Sequence, residues 1–159
     1  MILAGSGLSL LLACGGARDG RLAAARDHAA LVHTADAYWY ALRWNDANAA
    51  ASAWADPRTR VLVTRMVVDP TIKITDYAVL QVEIGVVLPP ERAPVDREGI
   101  ALVRVEAYAN AGTKLVTETI QQHWEHWPGV GWLVDQEKSP LGEDRPWVTD
   151  QKGMSSSPP

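Results

Sequence analysis

The stretch 114-KLVTETIQQHWEHWPGVGWLVD-135 decides the fold of this chain. It opens with a long run of strand-forming residues, including Thr117, Ile120 and Trp124, and continues through the cluster Pro-Gly-Val-Gly at residues 128–131. β-Branched and aromatic residues are enriched in strands, and a Pro/Gly cluster between two such runs is typical of a hairpin. The stretch therefore predicts a long strand, a tight turn and a returning strand, on which the remainder of the chain packs.

Two further strands are predicted before it. Residues 100–108 alternate between small or apolar residues (Ala101, Val103, Val105 and Ala107) and a second set (Leu102, Arg104, Glu106 and Tyr108). Asn-Ala-Gly at 110–112 is a hairpin turn into the long strand. Residues 72–86 also alternate, but Asp76 interrupts the apolar face, which predicts a bulge near residues 75 and 76. A polar, proline-rich loop over 88–98 joins these two strands.

The N-terminal half has helical periodicity. Apolar residues recur at spacings of four, three and four between residues 31 and 42, which predicts an amphipathic helix over 21–44. Asn45-Asp46 ends it and caps a second helix over 47–55, which Asp56-Pro57 ends in turn. Pro57 opens a third helix to about residue 66. Helices followed by an antiparallel meander predict an α+β fold, with N-terminal helices packed on a curved sheet.

Composition places this fold in one globular domain, predicted over residues 22–138. The chain has 159 residues, of which 47% are hydrophobic and 21% charged, enough to bury a core. The net charge is −4 and basic residues are not clustered, so nucleic acid is excluded as a partner. Residues 139–159 are rich in Pro, Gly, Ser and charge, and are predicted to be a disordered tail.

The N-terminus predicts export and membrane attachment. Residues 1–13 are an apolar run too short to span a bilayer but suited to a signal peptide. The run ends Leu11-Leu12-Ala13-Cys14, which resembles the lipobox of bacterial lipoproteins, and Cys14 is the only cysteine. Lipidation of Cys14 explains an unpaired thiol in an exported protein. The alternative is a chance cysteine in a buried N-terminal helix, and the basic residue that normally precedes a signal-peptide core is missing.

The lipobox interpretation implies a location. Residues 14–21 become a tether from a lipidated cysteine to the domain, and the membrane becomes a partner through the attached acyl chains. Gly15 follows the cysteine where an inner-membrane retention signal would have Asp, so the periplasmic face of the outer membrane is favoured over the inner membrane.

A family resemblance is carried by the segment 38-YWYALRWND-46, the alanines at 49 and 50, and Asp56-Pro57. This segment resembles the opening of NTF2-like (cystatin-like, cone-shaped) domains, and Ile74 to Tyr77, Trp124 and Gly131-Trp132 resemble bacterial lipoproteins of that superfamily. The resemblance covers about residues 31–135. It implies a sheet curled into a cone whose mouth can hold a small ligand, and a sheet face through which such domains often dimerise.

Candidate site residues follow from alternation along the long strand. Val116, Ile120 and Trp124 share a face with Glu118, Gln122 and His126, and this face has the character of a core. Glu118, Gln122 and His126, with Tyr40 from the first helix, are therefore the candidate polar residues of a cavity. No catalytic motif is present. His123 and His126 fall on opposite faces, so no metal site or cofactor is predicted.

Two functions remain open. The first is a lipid-anchored envelope protein whose non-catalytic domain binds an envelope protein partner or pairs with itself. The second is an NTF2-like enzyme of the isomerase, dehydratase or cyclase type acting on a small hydrophobic compound. An ionisable group facing into a ligand-sized pocket favours the second, and a cone filled with side chains counts against it.

Overall fold

The computed structural model describes residues 15–68, 73–109 and 114–138. Three helices precede four strands in the chain. The helices are α1 (Gly15–Arg43), α2 (Ala47–Ser52) and α3 (Pro57–Val68), and the strands are β1 (Lys73–Val87), β2 (Arg97–Ala109), β3 (Lys114–Trp127) and β4 (Gly131–Lys138). The strands form one curved antiparallel sheet in the order β1-β2-β3-β4. The predicted α+β arrangement of N-terminal helices and an antiparallel meander is confirmed.

Helix α1 lies against the sheet through the predicted stripe. Leu31, Ala35, Tyr38 and Leu42 are all buried. The helix begins at Gly15 rather than at residue 21, so residues 15–21, expected to be a tether, are helical. Its side chains from Gly20 to Arg26 are exposed. Cys14 and the predicted signal peptide lie outside the described residues, as do the hairpin turn at 110–112 and the tail at 139–159.

Helix α1 ends where the sequence predicted. Asn45 has a positive φ of 58°, a conformation that Asn tolerates better than most residues. The side chain of Asp46 then accepts a hydrogen bond from Ala49 N and caps α2. Asp56 does the same for α3, since its carboxylate accepts bonds from the backbone N and the hydroxyl of Thr59, both at 2.9 Å. The backbone bond from Thr59, followed by the hydroxyl bond, lowers the pKa of Asp56.

The segment between α2 and α3 pairs with β4. Helix α2 stops at Ser52, short of the predicted residue 55. Val134 N donates to Ala53 O at 2.7 Å, and Ala55 N donates to Val134 O at 3.0 Å. The main chain at residues 53–55 thus covers part of the outer edge of β4, and a covered edge cannot pair with another chain there.

Strand β1 forms the opposite edge of the sheet. Its pairing with β2 shifts register between Ile74 and Asp76, which confirms the predicted bulge, and again between Val79 and Gln81 and between Ile84 and Val87. Bulges bend and twist a strand, and they are one way in which proteins keep an edge from pairing with a neighbour.

The core lies between the helices and one face of the sheet. On β2 the predicted division holds, because Ala101, Val103, Val105 and Ala107 are all buried. From β3 and β4 the largest contributions are the buried side chains of Ile120, Trp124, Trp132 and Val134. Gly99 fits closely beneath α1, since a Cβ there would lie 2.5 Å from Leu31 Cδ2. A larger residue at position 99 would therefore require the side chain of Leu31 to move.

Candidate functional site

A cleft opens between the C-terminal end of α1, the end of α3 and the helix-facing side of the sheet. Its volume is ≈ 40 Å³, room for a few water molecules or for part of a small ligand. Most of the lining is apolar or aromatic, with Asn45 and Glu137 as the polar exceptions. The lining residues are Tyr38, Trp39, Leu42, Asn45, Met66, Val67, Ile74, Val105 and Glu137.

A register shift brings Glu137 to this cleft. Trp124 pairs with Val134 across β3 and β4, whereas Gln122, two residues earlier on β3, pairs with Glu137, three residues later on β4. Strict alternation would place Gln136 on the face of Val134. The irregularity between His123 and Trp124 adds one residue to β4, and Glu137 takes the inward position instead.

Gln122 connects this carboxylate to helix α1. Its side chain is fully buried. Its Oε1 accepts a hydrogen bond from Trp39 Nε1 at 3.1 Å, and its Nε2 donates to Glu137 Oε1 at 2.7 Å. A buried amide with both ends bonded avoids the desolvation cost of an unpaired polar group. The network therefore fixes the orientation of three side chains that come from α1, β3 and β4.

Aromatic rings make the wall of the cleft on the helix side. Tyr38 meets Trp39, Trp54 and Trp124 edge to face, with ring centroids 5.5, 6.3 and 6.2 Å apart. The hydroxyl of Tyr38 also accepts a hydrogen bond from Trp54 Nε1 at 3.3 Å. Edge-to-face pairs are favourable beyond the area that they bury. The wall is thus a packed cluster rather than a set of isolated side chains.

A second polar pair lies at the other end of the same sheet face. His126 Nδ1 lies 2.6 Å from Asp96 Oδ1, and the imidazole is 5.1 Å from the ring of Trp132. Its neighbours across the strands are Arg97 on β2 and Trp132 on β4. Arg97 is paired with Asp27 of α1. Because β3 rises about 3.3 Å per residue, His126 is roughly 13 Å along the strand from Gln122.

The structure separates the four sequence-predicted site residues. Gln122 lies beside the cleft, bonded to two of its lining residues. Glu118 is on the same side of β3 and half-buried, but does not line the cleft. His126 is at the far end with Asp96. The prediction that Tyr40 faces a cavity is wrong: its side chain is 58% exposed and stacks at an angle against Trp44.

Sequence reasoning missed Trp39 and Glu137. Trp39 follows Tyr38 directly, on the flank of the buried stripe, and a helix that buries a wide face includes such neighbours. Glu137 lies beyond residue 135, where the returning strand was expected to end, and its direction depends on the register shift in β4. Nothing in the residue pattern of β4 indicates that shift.

The cleft combines an apolar lining with two polar residues, Glu137, whose carboxylate accepts hydrogen bonds, and Asn45, whose amide both donates and accepts them. Within residues 15–68, 73–109 and 114–138, no group of three or more His, Cys, Asp or Glu residues is placed to bind a metal ion. Over the same ranges, the helices include none with the length and apolar character needed to cross a membrane.

Comparisons with known proteins add no relative. No protein-family model matches the chain, and neither curated proteins nor solved structures include a significant match.

Proposed function

We propose that this chain is a lipid-anchored bacterial envelope protein whose domain is a non-catalytic, NTF2-like binding module. Its ligand site is the cleft between α1, α3 and the sheet. The ligand is a small compound, largely hydrophobic, whose polar end meets Glu137. The attached lipid is carried by Cys14, on the periplasmic face of the outer membrane in preference to the inner membrane.

The observation that carries the proposal is that an apolar cleft contains one carboxylate, that of Glu137, in a fixed orientation. Ligand sites in proteins are concave, mostly apolar, and contain a few fixed polar groups that give orientation. Here Gln122 Nε2 donates a hydrogen bond of 2.7 Å to Glu137 Oε1, and Trp39 Nε1 in turn donates one of 3.1 Å to Gln122 Oε1. A carboxylate fixed by a buried amide is pre-organised, so little ordering entropy is lost when a ligand arrives.

The NTF2-like assignment is supported by the layout of the elements. In the cone-shaped domains of that superfamily, N-terminal helices cover the concave side of a curved sheet, and the cavity opens between them. The present cleft lies between α1, α3 and the curved sheet, with Val105 of β2 in its lining. Helix α1 ends at Arg43, just before the Asn45-Asp46 break of the sequence motif, whereas α2 ends at Ser52 rather than at Asp56-Pro57, and Asp56 caps α3.

The lipid anchor is supported by the sequence alone. Leu-Leu-Ala precedes Cys14, and the apolar run before it has the length of a signal-peptide core. A single acyl chain holds a protein on a bilayer only marginally, whereas the two or three chains of a bacterial lipoprotein anchor it stably.

The second candidate function is an NTF2-like enzyme of the isomerase, dehydratase or cyclase type, and it is favoured by the ionisable Glu137 in the cleft lining and by the Asp96–His126 pair. A carboxylate that orients an imidazole is a common general-base arrangement. The pair lies roughly 13 Å along β3 from Gln122, however, so a ligand of the cleft's size does not reach both. This separation is why the binding module is our first proposal.

A homodimer, or a complex with an envelope protein, belongs to the same proposal. The outward face of the sheet includes Arg104, Thr117 and Gln121, all exposed, and half-buried Leu102. A mixed polar and apolar face of this kind is typical of a non-obligate interface.

Native mass spectrometry of the full-length protein, extracted from its host in mild detergent, tests these points together. We expect acyl mass on a fragment that begins at Cys14, its loss in Cys14→Ala, and a retained small molecule in both proteins. Val67→Phe, which fills the cleft, should lose the small molecule, while the control Val61→Phe on the exposed side of α3 should keep it.

The outcomes separate the parts of the proposal. Wild-type protein without acyl mass contradicts the anchor, whatever is bound. Equal retention in Val67→Phe and wild type contradicts the cleft as the ligand site. Turnover of a retained compound that is abolished by His126→Ala, with Val67→Phe unaffected, favours the enzyme over the binding module.

A further inference from the structure

Most polar side chains that line the cleft are already bonded within the protein. Trp39 Nε1 donates to the amide of Gln122, and the carboxylate of Glu137 accepts from the same amide. The hydroxyl of Tyr38 accepts from Trp54 Nε1. These bonds hold the three lining side chains in place, so each of them already has a structural role.

Asn45 differs from the other polar residues of the lining. It is exposed, so it lies at the open side of the cleft. Its backbone is held, because Asn45 N donates to Leu42 O at 3.3 Å and Asn45 O accepts from Ala47 N at 3.1 Å. Its side-chain amide makes no hydrogen bond with any residue that the structure describes. A fixed backbone thus carries an unbonded amide at the rim of the cleft.

A side-chain amide has two kinds of hydrogen-bonding group. Its oxygen accepts hydrogen bonds and its NH₂ donates them. A ketone offers only an acceptor and an ammonium group only donors, so either would bond to one end of the Asn45 amide. A carboxamide has the same two groups as Asn45 and bonds to both ends at once. It is also neutral, so it enters an apolar cleft without the cost of burying a charge.

The geometry of such a pair restricts the ligand further. Both bonds form together only when the N–H and the C=O of the ligand lie on the same side of its C–N bond. A primary amide and a lactam have this arrangement. The usual secondary amide is trans, and its N–H points away from its C=O. A main-chain peptide group would therefore make only one of the two bonds.

We propose that the cleft recognises a primary carboxamide or a lactam on a small hydrophobic compound, and that Asn45 determines this specificity. The ligand N–H donates to Asn45 Oδ1, and the ligand carbonyl accepts from Asn45 Nδ2. This recognition rests on the proposed binding function and names the class of ligand for that cleft. It adds a second polar contact to the one proposed for Glu137, and does not depend on an open acceptor site of that carboxylate.

A titration with two ligands of the same shape tests the inference. Butanamide and 2-pentanone have equal numbers of heavy atoms and the same carbonyl oxygen, but a methyl group of the ketone replaces the NH₂ of the amide. Each is added at pH 7 to wild type, to Asn45→Gly and to the control Asn48→Ala, whose position on α2 is exposed and outside the lining. Binding is followed through the indole N–H resonance of Trp39 in ¹H–¹⁵N spectra.

Asn45→Gly removes the side chain without straining the backbone, because glycine readily adopts a φ of 58°. We expect the variant to bind butanamide about fivefold or more weakly than wild type, since two neutral hydrogen bonds are lost. Its affinity for 2-pentanone should fall clearly less, since one bond is lost. Asn48→Ala should bind both ligands as wild type does. The circular dichroism spectrum and Tm confirm that each variant is folded.

The side-chain NH₂ resonances of the wild type give a second measurement that needs no variant. Butanamide should shift those of Asn45 and leave those of Asn48 in place. If Asn45→Gly does not fold, this measurement decides the matter, and Asn45 resonances that stay unmoved at saturation contradict amide recognition.

Two further results overturn the inference in different ways. Equal losses for butanamide and 2-pentanone in Asn45→Gly, or no loss for either, contradict amide recognition but leave the cleft as a site for neutral compounds. Absence of binding of both ligands to wild type contradicts both the amide inference and the proposed binding function.

Discussion

Two polar side chains of β3, Gln122 and His126, face the helices four residues apart, and each is bonded to an acidic partner. Gln122 is fully buried between Trp39 and Glu137. The side chains of His126 and Asp96 are 25% and 35% exposed. A buried hydrogen bond is expensive to break because the partners that remain are unpaired, while the groups of a partly exposed pair can bond to water instead. The two pairs have similar bond lengths and differ in burial. The Gln122 pair is buried beside the cleft, whereas the His126 pair is partly open to solvent.

The largest effect on stability is expected at Trp124, the residue between the two pairs. Trp124 lies between Gln122 and His126 on the same face and is fully buried. We expect Trp124→Ala to lower the free energy of unfolding by about 3–5 kcal/mol, because a large side chain leaves a cavity that its neighbours fill only in part. Urea denaturation measures the loss. Trp127→Ala, at a half-buried position further along β3, is the control and should cost clearly less.

Breaking the buried pair should have the next largest effect. Gln122→Leu keeps the approximate volume but leaves Trp39 Nε1 without its acceptor and removes the donor that Gln122 provides to Glu137. We expect a loss of about 1–3 kcal/mol in the free energy of unfolding, and weaker binding in the cleft. Gln121→Leu, exposed on the other face of β3, is the matched control. Equal losses in the two variants would show that the network contributes nothing to stability.

Breaking the partly exposed pair of Asp96 and His126 should have a smaller effect. Asp96→Asn removes the charge opposite His126 and keeps the shape, so we expect a change of at most about 1 kcal/mol in chemical denaturation. Asp135→Asn is the control, since Asp135 Oδ2 lies 3.5 Å from His123 Nδ1 on the other face of the sheet. A loss from Asp96→Asn larger than that from Gln122→Leu would reverse the ranking of the two pairs.

A third pair, Tyr77 of β1 with Asp36 of α1, adds a dependence of stability on pH to the comparison. The hydroxyl of Tyr77 donates to Asp36 O at 3.3 Å. Burial, followed by the hydrogen bond and negative charge of the Asp36 side chain, raises the pKa of Tyr77 to about 12. Because the folded pKa exceeds the ordinary value of 10.0, the native state holds the proton longer than the unfolded state. Stability from this group is therefore complete below pH 10 and is lost as the pH rises toward 12.

Tyr77→Phe tests that assignment with a small expected effect. The variant should show a shallower fall of Tm between pH 10 and 12 than the wild type. Tyr108→Phe, at an exposed position on β2, should retain the wild-type slope. Parallel curves for wild type and Tyr77→Phe would contradict the raised pKa.

The sequence predicted most of the architecture because its signals are periodic and local. The helical stripe from Leu31 to Leu42, the division of β2 and the bulge near Asp76 all appear in the structure. The same periodicity argues against Tyr40, because a residue two positions from Tyr38 lies about 200° around the helix. The NTF2-like cone, the lipid anchor and the ligand stay predictions.

The site could be predicted only in part, since its geometry depends on contacts between distant segments. Gln122 follows from alternation on one strand. Its partners Trp39 and Glu137 are 83 and 15 residues away, and neither spacing encodes a contact. A one-residue shift in the pairing of β4 decides whether Gln136 or Glu137 faces the cleft. Register of this kind is set by the packing of the whole sheet.

Because α1 begins at Gly15, the segment between the proposed lipid anchor and the domain is helical rather than a flexible tether. At 1.5 Å per residue, the 29 residues of this helix form a rod about 44 Å long. If acyl chains are attached to Cys14, as proposed, the bilayer would hold one end of that rod, and the cleft would lie near the other end. A flexible linker would let the domain rotate freely relative to the bilayer. A rigid helix would act instead as a spacer. It would restrict the distance of the cleft from the bilayer and the direction in which the cleft opens.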